Sequence, residues 1–247
     1  MRSVMNITKK WKKVLAVGCS HGIYADEGSV RAVLKFRDSF KPDVTIHLGD
    51  ACDVSAFMGS KLGSGDGDPI EPDVEGGLKF LTRLRPNHFL FGNHEDRLER
   101  LVFSHNELIS YAAAQVIAQI GDTCTKLKCK RHSYTGNEQS LIIGNVRFMH
   151  GTVFSENSTR DMAESFAPWG GSVVHAHTHR AGMATGRRAD SPLGFGVGTL
   201  TSRGALEYAK TRRATLSWSA GFVWGYISDT SSQLFLCQKQ SEEWRLP

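Results

Sequence analysis

Val14-Leu15-Ala16-Val17-Gly18-Cys19-Ser20-His21 is a short aliphatic run that closes on glycine and then turns polar. A run of this length bounded by a turn reads as a buried strand. The same phrase returns twice. Val44-Thr45-Ile46-His47-Leu48 closes on Gly49-Asp50-Ala51-Cys52-Asp53, and His88-Phe89-Leu90-Phe91 closes on Gly92-Asn93-His94-Glu95. After Asp26 comes a helical pattern of Val30, Val33, Leu34 and Phe40, stopped by Pro42. A Gly/Asp/Ser-rich loop from Gly59 to Pro72 precedes a second helix, Val74 to Leu84, stopped by Pro86. Strand, helix, strand, helix, strand predicts a βαβαβ run and a parallel sheet.

Two more helices follow. One carries Leu98, Leu101 and Val102; the other opens on a capping box, Ser104 to Glu107, and runs through Leu108, Tyr111, Ala112 and Ile117 to Gly121. Thr123 to Gln139 is polar and unpatterned. From there the texture changes to short strands: Leu141–Ile143, Val146–Met149 and Ser172–His175, then a terminal hairpin of Phe222–Ser228 and Gln233–Cys237. The first half reads as α/β and the second as mostly β. We expect one domain over residues 1–247, built of two packed sheets, with a helical and basic insertion at about 95–140.

With 40% hydrophobic and 22% charged residues, the chain has the balance of a globular protein. That excludes a disordered tail, a collagen-like repeat and a disulfide-stapled miniprotein. Glycine is abundant at 25 while proline stands at 7, so many tight turns join regular elements, and turns are where chemistry gathers. The 5 cysteines are odd in number and irregular in spacing, which fits a reducing cytosol better than a disulfide framework. No apolar run approaches the ~20 residues of a membrane span. The basic Lys9–Lys13 stretch before Val14–Cys19 mimics a signal peptide, but its apolar part falls short of the ~7–15 residues of a signal core. The expectation is a cytoplasmic protein without a membrane segment. A net charge of +5 is a mild bias. Basic clusters at Lys126, Lys128, Lys130 and Arg131, and at Arg187, Arg188, Arg203, Lys210, Arg212 and Arg213, read either as solvated loop charge or as attraction for a polyanion. Tyr134 and Tyr208 stand nearly alone beside them, which gives little platform for base stacking.

In a parallel sheet the C-terminal strand ends gather on one edge, and ligands bind there. Two later clusters have the form of the first three: Met149-His150-Gly151, and His175-Ala176-His177-Thr178-His179 after Val173-Val174. Five strand ends thus supply Cys, Asp, Asn and several His, which are ligand types for two divalent transition metals.

Taken in order, Cys19-Ser20-His21, Gly49-Asp50-Ala51-Cys52, Gly92-Asn93-His94-Glu95, His150 and Ala176-His177-Thr178-His179 resemble the motif series of the calcineurin-like metallophosphoesterase superfamily. That series is Asp-x-His, Gly-Asp-x-x, Gly-Asn-His-Glu/Asp, His and Gly-His-x-His. Size and motif texture are also similar to small phosphoesterases of phages and bacteria. The resemblance implies a four-layer α/β/β/α sandwich, two mixed sheets flanked by helices. It implies a first cation on Cys19, His21, Asp50 and His179, and a second on Asp50, Asn93, His150 and His177, with Asp50 bridging. His94 stays unliganded as general acid. The implied reaction is hydrolysis of a phosphomonoester or phosphodiester by a two-metal-activated hydroxide, with Asp50 and His94 catalytic.

Asn93, His94 and Arg180 face the substrate in that scheme; Arg180 and Arg97 either touch phosphate oxygens or are surface charge, Glu95 either orients the His94 ring or is solvated, Asp53 either backs a ligand or is solvated, and His175 is structural. Two positions depart from the series. Ala176 replaces glycine, keeping a small residue. Cys19 replaces aspartate, and either its soft thiolate ligates, favouring Zn²⁺ or iron over Mg²⁺ or Mn²⁺, or it is an inert buried thiol that leaves the first site weaker. The metals implied are Mn, Zn or Fe. The alternative function is a catalytically impaired scaffold that binds a protein or nucleic acid partner. For the enzyme, the partner is a phosphoester substrate, with nucleotides and nucleic acids among the candidates and the basic insertion as one wall of the cleft.

Overall fold

The computed structural model describes residues 10–247 apart from 60, 63, 66, 136–138, 203, 207–216 and 242. Its strands are β1 (Lys12–Val17), β2 (Val44–His47), β3 (His88–Leu90), β4 (Lys130–His132), β5 (Ser140–Ile143), β6 (Val146–Met149), β7 (Ser172–His175), β8 (Ala181–Thr185), β9 (Leu193–Val197), β10 (Gly221–Ile227) and β11 (Ser232–Gln238). Its helices are α1 (Glu27–Phe40), α2 (Ile70–Leu84), α3 (Asn93–Leu101), α4 (Glu107–Leu127) and α5 (Ser158–Phe166). One sheet has the order β11-β10-β1-β2-β3-β4 and the other β5-β6-β7-β9-β8. In the first, β1 to β4 are parallel and the β10–β11 hairpin joins antiparallel through β10. In the second, β6, β7 and β9 are parallel between antiparallel edges β5 and β8.

The two sheets pack face to face. Val14, Ala16, Ile46, Leu48 and Leu90 meet Val146, Phe148, Val174, Phe195 and Val197 in one buried cluster. The alternate residues of β1, Leu15 and Val17, point the other way, into Val30, Val33 and Phe36 of α1 and Phe80 and Leu84 of α2. Strand β1 is therefore buried on both faces, which is why its sequence is continuously aliphatic rather than alternating. Helix α4 covers Phe89 and Phe91 through Ala113, Val116 and Ile120. On the far side, Met162 and Ala163 of α5 cover Val173. The architecture is the four-layer α/β sandwich with two mixed sheets.

Local boundaries differ from the sequence reading in instructive ways. Helix α2 begins at Ile70, so Pro72 lies in its first turn, where a missing N–H costs nothing. Asn106, not Ser104, caps α4: its side chain accepts from the N–H groups of Leu108 and Ile109 at 3.1 and 3.3 Å. The helix runs past Gly121 because Val116, Ile120 and Cys124 continue its buried stripe. The polar stretch after Thr123 thus divides between the end of α4 and the edge strand β4. Because Lys130 pairs with His88 at the start of β3, the Lys126–Lys130 segment lies at the opposite end of the sheet from Asn93. These lysines do not wall the cleft.

Strands β8 and β9 and helix α5 carry no clear sequence signal. In β9, Leu-Gly-Phe-Gly-Val carries glycine at every second position because α5 lies against that face. A Cβ on Gly194 would fall 2.2 Å from the Thr159 carbonyl oxygen. Lys9, Arg203, Tyr208, Lys210, Arg212 and Arg213 lie outside the described residues. No helix among the described residues is long and apolar enough to cross a membrane.

Helix α1 is held at its start by Asp26, whose carboxylate accepts from the Ser29 N–H at 2.9 Å and the Ser29 hydroxyl at 2.6 Å. Asp26→Ala should cost about 1 kcal/mol and lower the thermal midpoint by roughly 2–4 °C. Asp26→Asn, which keeps an acceptor, should retain most of that stability. Equal melting of all three proteins would contradict the assignment.

Candidate metal centre

Beyond the ends of β1, β2 and β7 the chain turns sharply enough to leave ordinary backbone space. Cys19 (φ 53°), His21 (51°), Asp50 (54°), His177 (68°) and His179 (57°) all adopt the left-handed conformation. For residues with a Cβ this costs on the order of 1–3 kcal/mol each, and it persists where surrounding structure over-determines it. Here the surroundings are specific hydrogen bonds. The Cys19 N–H donates to the Gly49 carbonyl at 2.9 Å, His21 to Asp50 at 3.0 Å and Ala176 to His150 at 2.9 Å. The Thr199 hydroxyl donates to the Cys19 carbonyl at 2.8 Å.

Two buried carboxylates gather the loops. Glu95, one turn into α3, accepts from the N–H groups of Asp50 (2.9 Å), Ala51 (2.8 Å) and Gly92 (2.9 Å). It therefore fixes the Asp50 turn, and the sequence-based expectation that it orients the His94 ring is corrected. Asp73 of α2 accepts from the N–H groups of Val54 at 2.6 Å, Asp53 at 3.2 Å and Ile23 at 3.3 Å. Asp53 does the orienting. Its carboxylate accepts the His21 Nδ1–H at 2.9 Å, and its carbonyl accepts the His94 Nδ1–H at 2.5 Å. Gly92 is required by close approach, since a Cβ there would lie 2.1 Å from Asp50 Oδ1 and 2.7 Å from His150 Cε1.

These constraints bring donor atoms of Cys19, His21, Asp50 and His179 within 4.8 Å of one another, and those of Asp50, His150 and His177 likewise. Asp50 belongs to both groups. Asn93 Oδ1 joins the second, 3.2 Å from His150 Nε2 and 2.9 Å from His177 Nδ1. His94 stands beside them, its Nε2 4.0 Å from Asp50 Oδ2.

The electrostatics suit a cation. Burial works against the Asp50 charge, but the neighbouring His150, His94 and His21 outweigh it and hold the carboxyl well below its usual range. Burial pushes His177 down to about 4 and His179 well below its ordinary value, so both rings are neutral, the form that ligates. Burial and then the Asp50 charge push the Cys19 thiol well up, so it becomes thiolate only where a cation takes the place of its proton.

The donor set fits a metal on its geometry. With His21 Nδ1–H committed to Asp53, its Nε2 faces His179 Nε2 at 2.9 Å. The buried His179 Nδ1 has no hydrogen-bond partner among the described residues. Two imidazoles, a carboxylate and a thiol converging on one point form a set that binds divalent transition metals.

Other residues noted in the sequence sit around this centre. Arg180 Nη1 donates to the Ser155 carbonyl at 2.9 Å and the guanidinium lies over Phe154. His175 is turned away, bonded to Thr159 Oγ1 and the Ala176 carbonyl. Three contributors escaped the sequence reading. Tyr134 donates to the Gly151 carbonyl at 3.1 Å and packs on His150, and Trp218 packs on His179 at 4.1 Å. For these two the sequence holds no signal. For Asp73 it does: a carboxylate in phase with the buried stripe Gly77, Phe80, Leu81 and Leu84.

The model of the calcineurin-like phosphoesterase family matches residues 12–181. No curated protein matches the chain. Among solved structures, the chain is similar to a conserved protein of Streptococcus pneumoniae described as a predicted phosphoesterase (16% identity, 93% of this chain and 90% of that one, TM-score 0.37). It is also similar to the phosphoesterase Yfce of E. coli (15%, 90% and 98%, TM-score 0.39). A third likeness is to Vacuolar Protein Sorting 29 of Cryptosporidium parvum (13%, 94% and 94%, TM-score 0.47).

Gly92→Ala should displace the Asp50 carboxylate, lowering stability by about 1–3 kcal/mol and weakening the binding of added Zn²⁺ or Mn²⁺. Gly182→Ala, whose Cβ meets nothing within 4 Å, should leave both unchanged. Thermal melts and metal titration of the two variants check this, and a Gly92→Ala protein that binds metal normally would refute it.

Proposed function

This chain belongs to the calcineurin-like phosphoesterase family, and from that premise we propose that it is a metal-dependent hydrolase of phosphoesters. The observation that carries the reading is one buried carboxylate, Asp50, shared between two groups of donors with His94 beside it. Cys19, His21, Asp50 and His179 hold one divalent cation, and Asp50, Asn93, His150 and His177 hold a second. The mixed thiolate and imidazole set favours Zn²⁺ or Fe²⁺ at the first position and accepts Mn²⁺ at the second. Such cations, when bound, neutralise phosphate oxygens and acidify water.

The remaining chemistry belongs to side chains. His94 has its Nδ1–H bonded to the Asp53 carbonyl, so Nε2 is the atom that presents a proton to the departing oxygen. Asn93 and Arg180 line the substrate side. The substrate is a small phosphomonoester or phosphodiester, with nucleotides and nucleic acids within the class.

A second reading, a scaffold for a protein partner, draws on the exposed Phe103, Leu108 and Tyr111 around the α3–α4 turn. Turnover separates the two. With Mn²⁺, Zn²⁺ or Fe²⁺ the protein should hydrolyse an aryl phosphoester, and a chelator should abolish it. His94→Ala should reduce kcat by roughly 100-fold or more with metal content unchanged. A folded, metal-loaded protein that turns over neither a monoester nor a diester would favour the scaffold. Cys19→Ser should shift metal preference from Zn²⁺ toward Mn²⁺ in a competition measured by metal content, and an unchanged preference would contradict ligation by Cys19.

A further inference from the structure

Arg97 lies one turn into α3, four residues after Asn93 and three after His94, the spacings that bring side chains to a common helix face. Its Nη1 is buried and has no hydrogen-bond partner among the described residues. Burial works against its charge, while Asp50, Asp53 and Glu95 support it, which puts the guanidinium in the electrostatic field of the metal centre. A guanidinium carries five N–H donors and no acceptor. Leaving one of them buried without an acceptor is costly, so a native protein completes such a group with a bound ligand, an ion or an ordered water.

Two other arginines nearby are each anchored through a terminal guanidinium nitrogen. Arg100 pairs with Asp96 at 2.9 Å, and Arg180 donates to the Ser155 carbonyl and covers Phe154. Arg97 is on the same helix as two residues of the centre and keeps a donor in reserve. Planar, delocalised and permanently charged, a guanidinium matches a phosphate oxygen better than any other side chain.

We propose that Arg97 is a substrate-binding residue whose Nη1 takes a non-bridging phosphate oxygen beside His94, and that it favours phosphomonoesters over phosphodiesters. This rests on the hydrolase reading and adds the substrate class. A monoester dianion has three non-bridging oxygens, whereas a diester monoanion has two, its third being esterified and uncharged. With two donor groups for cations flanking Asp50, the extra charged oxygen is the one that an additional fixed cation recognises. Arg97 is not a proton donor, since a guanidinium stays charged throughout.

The test compares wild type, Arg97→Met and Arg97→Lys, all loaded with Mn²⁺. Affinity for inorganic phosphate is measured by calorimetry, and kcat/KM for p-nitrophenyl phosphate and bis(p-nitrophenyl) phosphate by absorbance. Arg97→Met should weaken phosphate binding roughly 10-fold or more, the scale of a charge-assisted hydrogen bond. Its loss of kcat/KM should be at least about 10-fold larger on the monoester than on the diester, with Arg97→Lys intermediate. If Arg97→Met fails to fold, Arg97→Lys decides by the same comparison. Unchanged phosphate affinity, or equal losses on both esters, would overturn the proposal. A wild type that hydrolyses neither ester, yet loses phosphate affinity in Arg97→Met, would uphold the anion site and sink the hydrolase reading instead.

Discussion

A carboxylate at the seam of two sheets is tolerable only when donors or cations surround it. Asp50 is 2% exposed, and its Oδ2 lies 3.2 Å from His150 Nε2 and 3.8 Å from His21 Nε2. Its Oδ1 accepts the His94 N–H at 3.1 Å. It is not alone: Asp53, Asp73 and Glu95 are buried within the same few loops. Each of these other carboxylates is spent on backbone N–H groups or an imidazole. Asp50 is the one that faces open donor atoms on both sides. Strand ends from both sheets are pulled into left-handed turns to meet it, and the glycine at position 92 exists to leave room for it.

What was legible in the sequence was what is local. The β1–α1–β2–α2–β3 run announced itself because every apolar stretch closes on a glycine and a polar cluster, and the β10–β11 hairpin was visible for similar reasons. The polar clusters could be put on one sheet edge because parallel topology does so without further information. What stayed hidden depends on distant neighbours. Strand β9 is glycine-rich because α5 crowds it, and β4 is three polar-looking residues that earn strand status only beside β3. Asp53 backs the candidate ligand His21 as expected, whereas Glu95 holds backbone N–H groups rather than the His94 ring, since spacing cannot say which carboxylate turns toward backbone and which toward a ring. Tyr134 and Trp218 come from segments far along the chain and reach the centre through tertiary packing alone.

Cys19 is the position where the motif series and this chain part. Its sulfur accepts the His177 N–H at 3.3 Å, and its carbonyl accepts from Thr199 and from the Leu200 N–H. One residue thereby ties the first donor group to the backbone of the second and to the loop after β9. A residue so placed is built into the centre whichever metal it meets. Ligation by the thiol, as proposed, would make the centre softer than an all-oxygen and nitrogen site, so metal identity is where a cysteine at this position would tell.

Crystals grown with Zn²⁺ and measured at the zinc absorption edge test the central claim most directly. Two anomalous peaks ~3.5–4 Å apart should flank Asp50. The one beside His21 and His179 should also lie ~2.3 Å from the Cys19 sulfur, against ~2.0–2.1 Å from the imidazole nitrogens. Peaks confined to surface histidines, with none between His21, Asp50 and His150, would contradict it.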